Sequence, residues 1–574
     1  MKPFSRRMAV IASSVCLLVL AFGGGVVFAV ETTIQIVPDQ SFYYPGETAR
    51  WTTAASTGSA IRSFGVRVTY LDEAVAEFEA PAADGRAALE WTPPSDAPRG
   101  YGLIVDARDE AGDVVATTST AFDVLNHWIE APRYGFLSDF SAGRSNDDAT
   151  IAWMLRHHIN GVQFYDWQYR WEDLLPDTEQ FSDGLGRPQS MATVRRLIDL
   201  LHGHNIAAMP YTAIYGASMA FARQHPEWAL LDALGSPYEF GGDLIGIMDP
   251  TPGSHWNTHL LGEFADVLDN TTFDGIHIDQ YGSPKTGFDS DGNRVDLAEV
   301  MPRFIDQTAA LVQDRRGERG VTLFNSVGNW PIEAVAPAGQ DASYIEVWSP
   351  YDDYLDLNRI ITNAQRWGNG KPVILAAYIP PDRAINWRLA NAVIAASGAF
   401  HLETGEPGVM LADPYFPLFG AIPAEQQAQF TRFYDFLVRY ENVLSVGTVA
   451  GTSDRHDAVD LGDVRTRGIR SKDRVVPIVR AGAGFETFSL INFLDIDASN
   501  WNAPTTVEPT PLTDLAMTIA VDRPVTDVWY ASPDSAERMN AEALPFTVDA
   551  GELHFTLPCL DYWSMIVVEY EDGR

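Results

Sequence analysis

The spacing of apolar residues along the chain changes character twice. From Thr32 to about Asn126 the apolar positions alternate in short runs: Thr33–Val37, Ala49–Ala54, Phe64–Tyr70, Ala87–Trp91, Gly102–Ala107 and Thr117–Val124. Turn sequences such as Pro45–Gly46, Ala83–Asp84–Gly85 and Pro93–Pro94 separate them. A period of two marks strands with one buried face, so residues 31–126 read as a β-sandwich of immunoglobulin type without its disulfide. No cluster of reactive side chains lies in this stretch, which suits an accessory domain.

After Trp128 the rhythm becomes continuous apolar runs alternating with helix-length amphipathic segments. The expected strands are Tyr134–Phe140, Gly161–Trp167, Ile206–Tyr211, Gly275–Asp279, Val321–Asn325, Tyr344–Val347, Val373–Tyr378 and Ala399–Glu403. Met191–His204, Ala298–Arg316, Tyr354–Trp367 and Asp382–Ala396 are expected helices between them, and Ala424–Tyr440 is a closing one. Strands buried on both faces and separated by helices predict a central (β/α)8 TIM barrel over residues 127–442. A doubly wound open sheet is the alternative, but no glycine-rich phosphate loop supports it. The gap from Tyr215 to Phe273, the longest, reads as helices plus loop. From residue 443 to 574 short strands return, among them Val475–Ala481, Thr487–Leu494 and Ser564–Tyr570, and predict a C-terminal antiparallel β-domain.

Residues 1–30 stand apart. Lys2, Arg6 and Arg7 precede an apolar run from Met8 to Val30 that ends in small residues, as in a cleavable secretory signal. An uncleaved membrane anchor is the other reading of a run that long. The signal predicts a secreted, extracellular protein, with periplasm or cell surface as variants, and no membrane attachment after cleavage. Removing it leaves Cys559 as the only cysteine, so no internal disulfide and no cysteine-based metal site is expected.

Charge narrows the partners. The 77 acidic and 40 basic residues give a net charge of −37, which repels nucleic acid and anionic lipid. Basic charge is nearly all arginine, since lysine occurs only at positions 2, 285, 371 and 472. A salty medium and GC-rich codon usage both account for that bias.

The candidate chemistry sits where barrel strands end. Asp279 closes an apolar strand, and a carboxylate there must be hydrogen-bonded, paired or catalytic. Around it the strand ends supply Asp139, then Gln163, Tyr165, Asp166 and Trp167, then Tyr211 and Tyr215. His277 and Gln280 flank Asp279, and Asn325, Glu346, Trp348, Tyr378, His401 and Glu403 follow. Carboxylates interleaved with aromatic rings suit carbohydrate, because rings stack on sugar C–H faces while carboxylates bind hydroxyls and move protons. Phosphate would call for lysine, arginine and glycine-rich loops instead. Asp166 suits a substrate ligand or a helix cap equally. Asp289–Ser290–Asp291–Gly292–Asn293 resembles part of a calcium loop but lacks its spacing and closing glutamate, so a turn is the plainer reading.

Several runs carry a specific resemblance: Pro132-Arg-Tyr-Gly-Phe-Leu-Ser-Asp-Phe140, Val162-Gln-Phe-Tyr-Asp-Trp167, Met209-Pro-Tyr-Thr-Ala-Ile-Tyr-Gly216, Asp274-Gly-Ile-His-Ile-Asp279 and Tyr344-Ile-Glu-Val-Trp-Ser-Pro350. With the terminal Leu557-Pro-Cys-Leu-Asp-Tyr-Trp563, they resemble glycoside hydrolase family 66, the dextranases and cycloisomaltooligosaccharide glucanotransferases. The resemblance implies a retaining enzyme acting on α-1,6-glucan; no cofactor or metal is expected, and the chain is expected to be a monomer. It implies Asp279 as nucleophile, Glu346 as general acid/base and Asp139 as a residue that binds or polarises the sugar. Tyr165, Asp166, Trp167, Tyr215, His277, Gln280, Asn325, Trp348, Tyr378, His401 and Glu403 are expected substrate contacts. Hydrolysis is favoured over cyclisation because no gap between barrel strands has room for an inserted module. A glycan-binding protein on an inactive barrel is the remaining rival.

Overall fold

The computed structural model describes residues 32–57 and 60–571, so the expected signal segment with Cys16 lies outside the described residues. The N-terminal part forms two antiparallel sheets. Ile34–Pro38, Ala49–Ala55 and Arg86–Trp91 make one, and Glu73–Pro81, Ser63–Tyr70, Arg99–Arg108 and Val114–Val124 make the other in that spatial order. Trp51, Tyr101 and Phe122 pack between the sheets, with Tyr101 stacked on Phe122 at 5.1 Å. Glu73–Pro81 has no counterpart in the sequence reading. It is an edge strand whose outward face carries Glu73, Glu77 and Glu79 and whose inward face is mostly alanine, with Phe78 its one large apolar residue on that face.

Eight parallel strands follow and neighbour one another in chain order: Tyr134–Leu137, Gly161–Phe164, Ala207–Ala213, Gly275–Asp279, Val321–Val327, Ala342–Glu346, Val373–Ala376 and Phe400–His401. Phe136 N donates to Thr404 O at 3.2 Å and nearly closes the ring between first and last strands. Tight strand contact explains Gly275, where a Cβ would lie 1.7 Å from Val321 O. Helices return the chain outside the sheet, among them Met191–His202, His255–Asn270, Leu297–Arg316, Tyr354–Trp367 and Ala384–Ala396. Their ends are written locally. Asp353 and Asp356 form a capping box on Tyr354–Trp367, and Asp296 caps Leu297–Arg316, which ends in Arg315 and Arg316. Tyr134, Phe136, Met209, Leu323, Tyr344, Ile374 and Phe400 fill the barrel itself.

The loop after the third strand departs from expectation. Besides the short helix Met219–Gln224 and the long His255–Asn270, it holds a three-stranded antiparallel sheet of Gly216–Ser218, Ile245–Ile247 and Glu239–Phe240. Strands of two or three residues are too short to leave a periodic trace. Asp289–Asn293 is the turn of a small hairpin, in which Asp289 accepts from the amides of Asp291 and Asn293.

The C-terminal strands form a six-stranded and a four-stranded antiparallel sheet around a core that includes Phe488, Leu490, Ile519 and Ile566. Among the described residues, no helix is long and apolar enough to cross a membrane. The helix Ala424–Arg439 ties the parts together. Buried Arg439 donates to Thr120 O at 3.1 Å on one side and to Met539 O at 3.2 Å on the other. We expect Arg439→Met to lower the unfolding midpoint, at a cost of about 3 kcal/mol, because buried carbonyls lose a charged donor. Denaturant unfolding followed by fluorescence measures it, and an unchanged midpoint would refute the tie.

Candidate active site

Asp279 and Glu346 end the fourth and sixth barrel strands, and both are drawn into the mouth by the strand alternation that buries Ile278 and Ile345 outside the barrel. Between them, on the fifth strand, stands Asn325. Its Nδ2 donates to Asp279 Oδ1 at 2.7 Å and to Glu346 Oε2 at 3.0 Å. Each carboxylate has a further donor of its own: Tyr211 Oη to Asp279 Oδ2 at 2.7 Å, and Tyr378 Oη to Glu346 Oε1 at 3.0 Å.

Electrostatics set the protonation. Burial, and then the charge of Glu346, raise the Asp279 pKa to about 7, against the pull of Tyr211 and Asn325. Burial also raises Glu346, opposed by Asn325, Tyr378 and Trp348. Two carboxyl groups this close share their titration, so near neutral pH the pair keeps one proton. One ionised and one protonated carboxyl is the state in which a nucleophile and an acid can work together.

The pair lies on the floor of a cavity of about 790 Å³. Tyr165, Asp166, Gln280, Asn325, Trp348 and Tyr378 line it with Asp279 and Glu346. Asp166 adopts a left-handed backbone with φ 53°, pairs with Arg187 at 3.1 Å, and has its pKa raised by burial to about 6. Gln280 lines the cleft with its own amide already engaged, donating to Trp330 O at 3.1 Å and accepting from Gly282 N.

Six expected contacts lie away from the lining. Asp139 is exposed past the first strand and accepts from Ser141 N at 2.9 Å. Trp167 turns into the core against Phe273 and donates to Tyr211 O. Tyr215 is buried behind the wall, where its hydroxyl accepts from Tyr281 N at 2.8 Å and holds that segment in place. His277 shares the face of Asp279 but lies a layer deeper, 3.0 Å from the Tyr134 hydroxyl and against the Tyr344 ring. Burial lowers its pKa to about 3, so it is neutral there. His401 and Glu403 face outward because Phe400 and Leu402 take the interior positions of the last strand. His401 bonds Asn391 at 2.7 Å, and Glu403 accepts from Trp387 Nε1 at 2.8 Å.

Other lining residues escaped the sequence reading. Phe240 from the small third-loop sheet stacks on Tyr281 at 4.5 Å, and Phe416 beyond the last strand stacks on Tyr165 at 4.2 Å. Their only trace in sequence is an aromatic residue in a glycine- or proline-rich loop, as in Phe240-Gly-Gly-Asp243 and Pro414-Tyr-Phe-Pro417. Gln163 Oε1, Asn325 Oδ1 and Tyr281 Oη line the cleft buried and without a hydrogen-bond partner among the described residues. Such atoms cost free energy until a ligand satisfies them. Stacking faces, open polar atoms and a carboxyl pair sharing one proton equip the cleft to bind a polyhydroxylated ring and cleave an acetal.

Comparison with known proteins agrees. A cycloisomaltooligosaccharide glucanotransferase of Niallia circulans is 24% identical over 703 residues, covering 93% of this chain and 71% of the relative. A dextranase of Streptococcus salivarius is 21% identical, covering 82% of this chain and 67% of its own. The crystal structure of a Paenibacillus sp. cycloisomaltooligosaccharide glucanotransferase complexed with cycloisomaltoheptaose superposes with a TM-score of 0.85 at 22% identity, covering 93% of this chain and 99% of that one. Residues 38–567 match the model of glycosyl hydrolase family 66. This chain is a glycoside hydrolase and belongs to glycosyl hydrolase family 66.

Proposed function

We propose that the protein is an exported, retaining endo-glycosidase that hydrolyses α-1,6-glucosidic linkages of dextran to linear isomaltooligosaccharides. The carrying observation is the single amide nitrogen of Asn325 bonded to both carboxylates, at 2.7 Å and 3.0 Å. That bridge keeps Asp279 and Glu346 within two hydrogen bonds of each other. Retaining pairs stand about 5–5.5 Å apart, whereas inverting pairs need roughly 6.5–9.5 Å to admit a water.

In this reading Asp279 attacks the anomeric carbon while protonated Glu346 gives its proton to the departing oxygen. Glu346 then takes a proton from water, whose oxygen displaces Asp279. The two carboxylates complete this scheme without a cofactor. Tyr165, Asp166, Gln280, Trp348 and Tyr378 are the substrate contacts we assign, from their place in the lining. The linkage comes from the relatives, which are named for dextran and for isomaltooligosaccharide rings.

Hydrolysis is favoured over cyclisation by length. The alignment with the glucanotransferase runs over 703 residues, more than the 574 of this chain, so that relative carries segments absent here. Without a hold on the distal chain, water reaches the intermediate first. We also read the N-terminal strands as immunoglobulin-like from their two-sheet order, place the domain boundaries near residues 126 and 442, and infer a secreted monomer from the N-terminal sequence and the acidic surface.

Incubation with dextran, pullulan, starch and cellulose tests substrate, and mass spectrometry of the dextran digest tests outcome. Reducing ends are expected from dextran, with linear products dominant. A ring weighs one water less than its linear counterpart, and a mixture dominated by rings would turn the assignment to a cyclising transglycosylase. Binding to dextran with release of neither reducing ends nor rings would leave only a glycan-binding protein.

A further inference from the structure

The mouth of the cleft is asymmetric. Trp348 is 41% exposed, although it lines the cavity and follows Glu346 by two positions. Val347 between them is buried in the core, so alternation carries Trp348 to the same side as Glu346. Its ring leans on Tyr378 with centroids 6.0 Å apart at 54°, and its backbone carbonyl accepts from Tyr351 N at 3.1 Å. The other large exposed hydrophobic side chains of the lining, Leu185, Phe240 and Leu244, come from the loops after the second and third strands, across the barrel from the sixth. Trp348 is therefore an indole held open to solvent on the Glu346 side alone. An indole left open beside a carboxyl acid is a stacking surface for a sugar ring.

Resting on the retaining reading above, we propose that Trp348 is the platform for the sugar on the leaving side. In that role it sets how the glycosyl-enzyme divides between water and a sugar hydroxyl. Displacement at the anomeric carbon is in line, so the departing oxygen lies away from Asp279 and toward Glu346. The C1–O bond breaks as the Asp279–C1 bond forms, and the Glu346 proton passes to the departing oxygen. The sugar carrying that oxygen lies over Trp348. The second step runs the same path backward with an incoming O–H. Its oxygen bonds C1, its proton returns to Glu346, and Asp279 leaves with the electron pair. A sugar stacked on Trp348 offers that hydroxyl already positioned, an advantage water lacks.

The test uses isomaltosyl fluoride as donor, because fluoride has no ring to stack, with isomaltose as acceptor. Fluoride release without acceptor reports formation and hydrolysis of the intermediate. The ratio of transfer product to hydrolysis product at fixed isomaltose reports the platform. For W348A we expect that ratio to fall about tenfold, as loss of an aromatic stack gives, and by more than fluoride release without acceptor falls. W348F, which keeps a ring but loses the indole N–H beside Glu346, should restore most of the ratio. An unchanged ratio in W348A overturns the proposal. So does fluoride release that falls in step with the ratio and is not restored in W348F, because Trp348 then serves Glu346 rather than the acceptor. A wild-type enzyme that cleaves neither dextran nor the fluoride overturns the retaining reading itself, and is told apart by that.

Discussion

Replacing Asp279 by Asn or Glu346 by Gln is expected to abolish turnover of dextran while leaving the fold intact. Loss of a general acid alone costs on the order of 10²–10⁴-fold, and loss of the nucleophile removes the covalent route altogether. The folded variants follow from linkage. The Asp279 pKa is raised from 3.8 to about 7, so its stability contribution is fully present below the lower value and is lost as pH rises through the upper one. At pH 8 the ionised side chain is a liability, and the neutral Asp279→Asn variant should melt no lower than wild type. The roles are separated by azide. In an Asp279→Ala variant azide would enter from the vacated face, so an α-linked donor yields a β-glycosyl azide. In a Glu346→Ala variant given an activated donor, azide attacks the covalent intermediate and the product is α. If both variants gave the same anomer, or either kept wild-type rates, the assignment would be wrong.

The barrel was legible because parallel strands covered on both faces are continuous apolar runs, and the ends of Gly275–Asp279 agree in sequence and structure. Asp279 and Glu346 were legible as carboxylates at the ends of apolar strands, and they do end the fourth and sixth strands; their expected roles came from the family resemblance. Position alone said too little about depth and phase. His277 has the right face but sits in the layer that Tyr134 and Tyr344 fill. His401 and Glu403 were placed on the rim by proximity to a strand end, yet that strand spans only Phe400–His401, too short to reveal which residues point inward. Phe240 and Phe416 reach the cleft from loops whose path depends on contacts distant in sequence, and no period marks them. The pairing of Asn325 with two carboxylates is likewise invisible until three strands stand side by side.

That bridge carries the second large effect. Asn325→Ala should lower kcat/KM by about 10²-fold, since each carboxylate loses a hydrogen bond worth roughly 1.5–3 kcal/mol to a charged group. It should also move the alkaline limb of the pH profile. Asn325 lowers the pKa of both Asp279 and Glu346 by favouring their charged forms. Without it the shared proton is held to higher pH, so the alkaline fall in kcat/KM, set by loss of the proton the pair shares, shifts upward. Tyr211→Phe and Tyr378→Phe are the controls. Each removes one donor from one carboxylate, 2.7 Å from Asp279 or 3.0 Å from Glu346, and should shift the limb in the same direction by less. A merely structural asparagine would lower activity at every pH without moving the limb. A limb that stayed in place or moved to lower pH would therefore show that Asn325 does not set the charge of the pair. A shift in either tyrosine variant as large as that in Asn325→Ala would show that the bridge is no more than one donor among several.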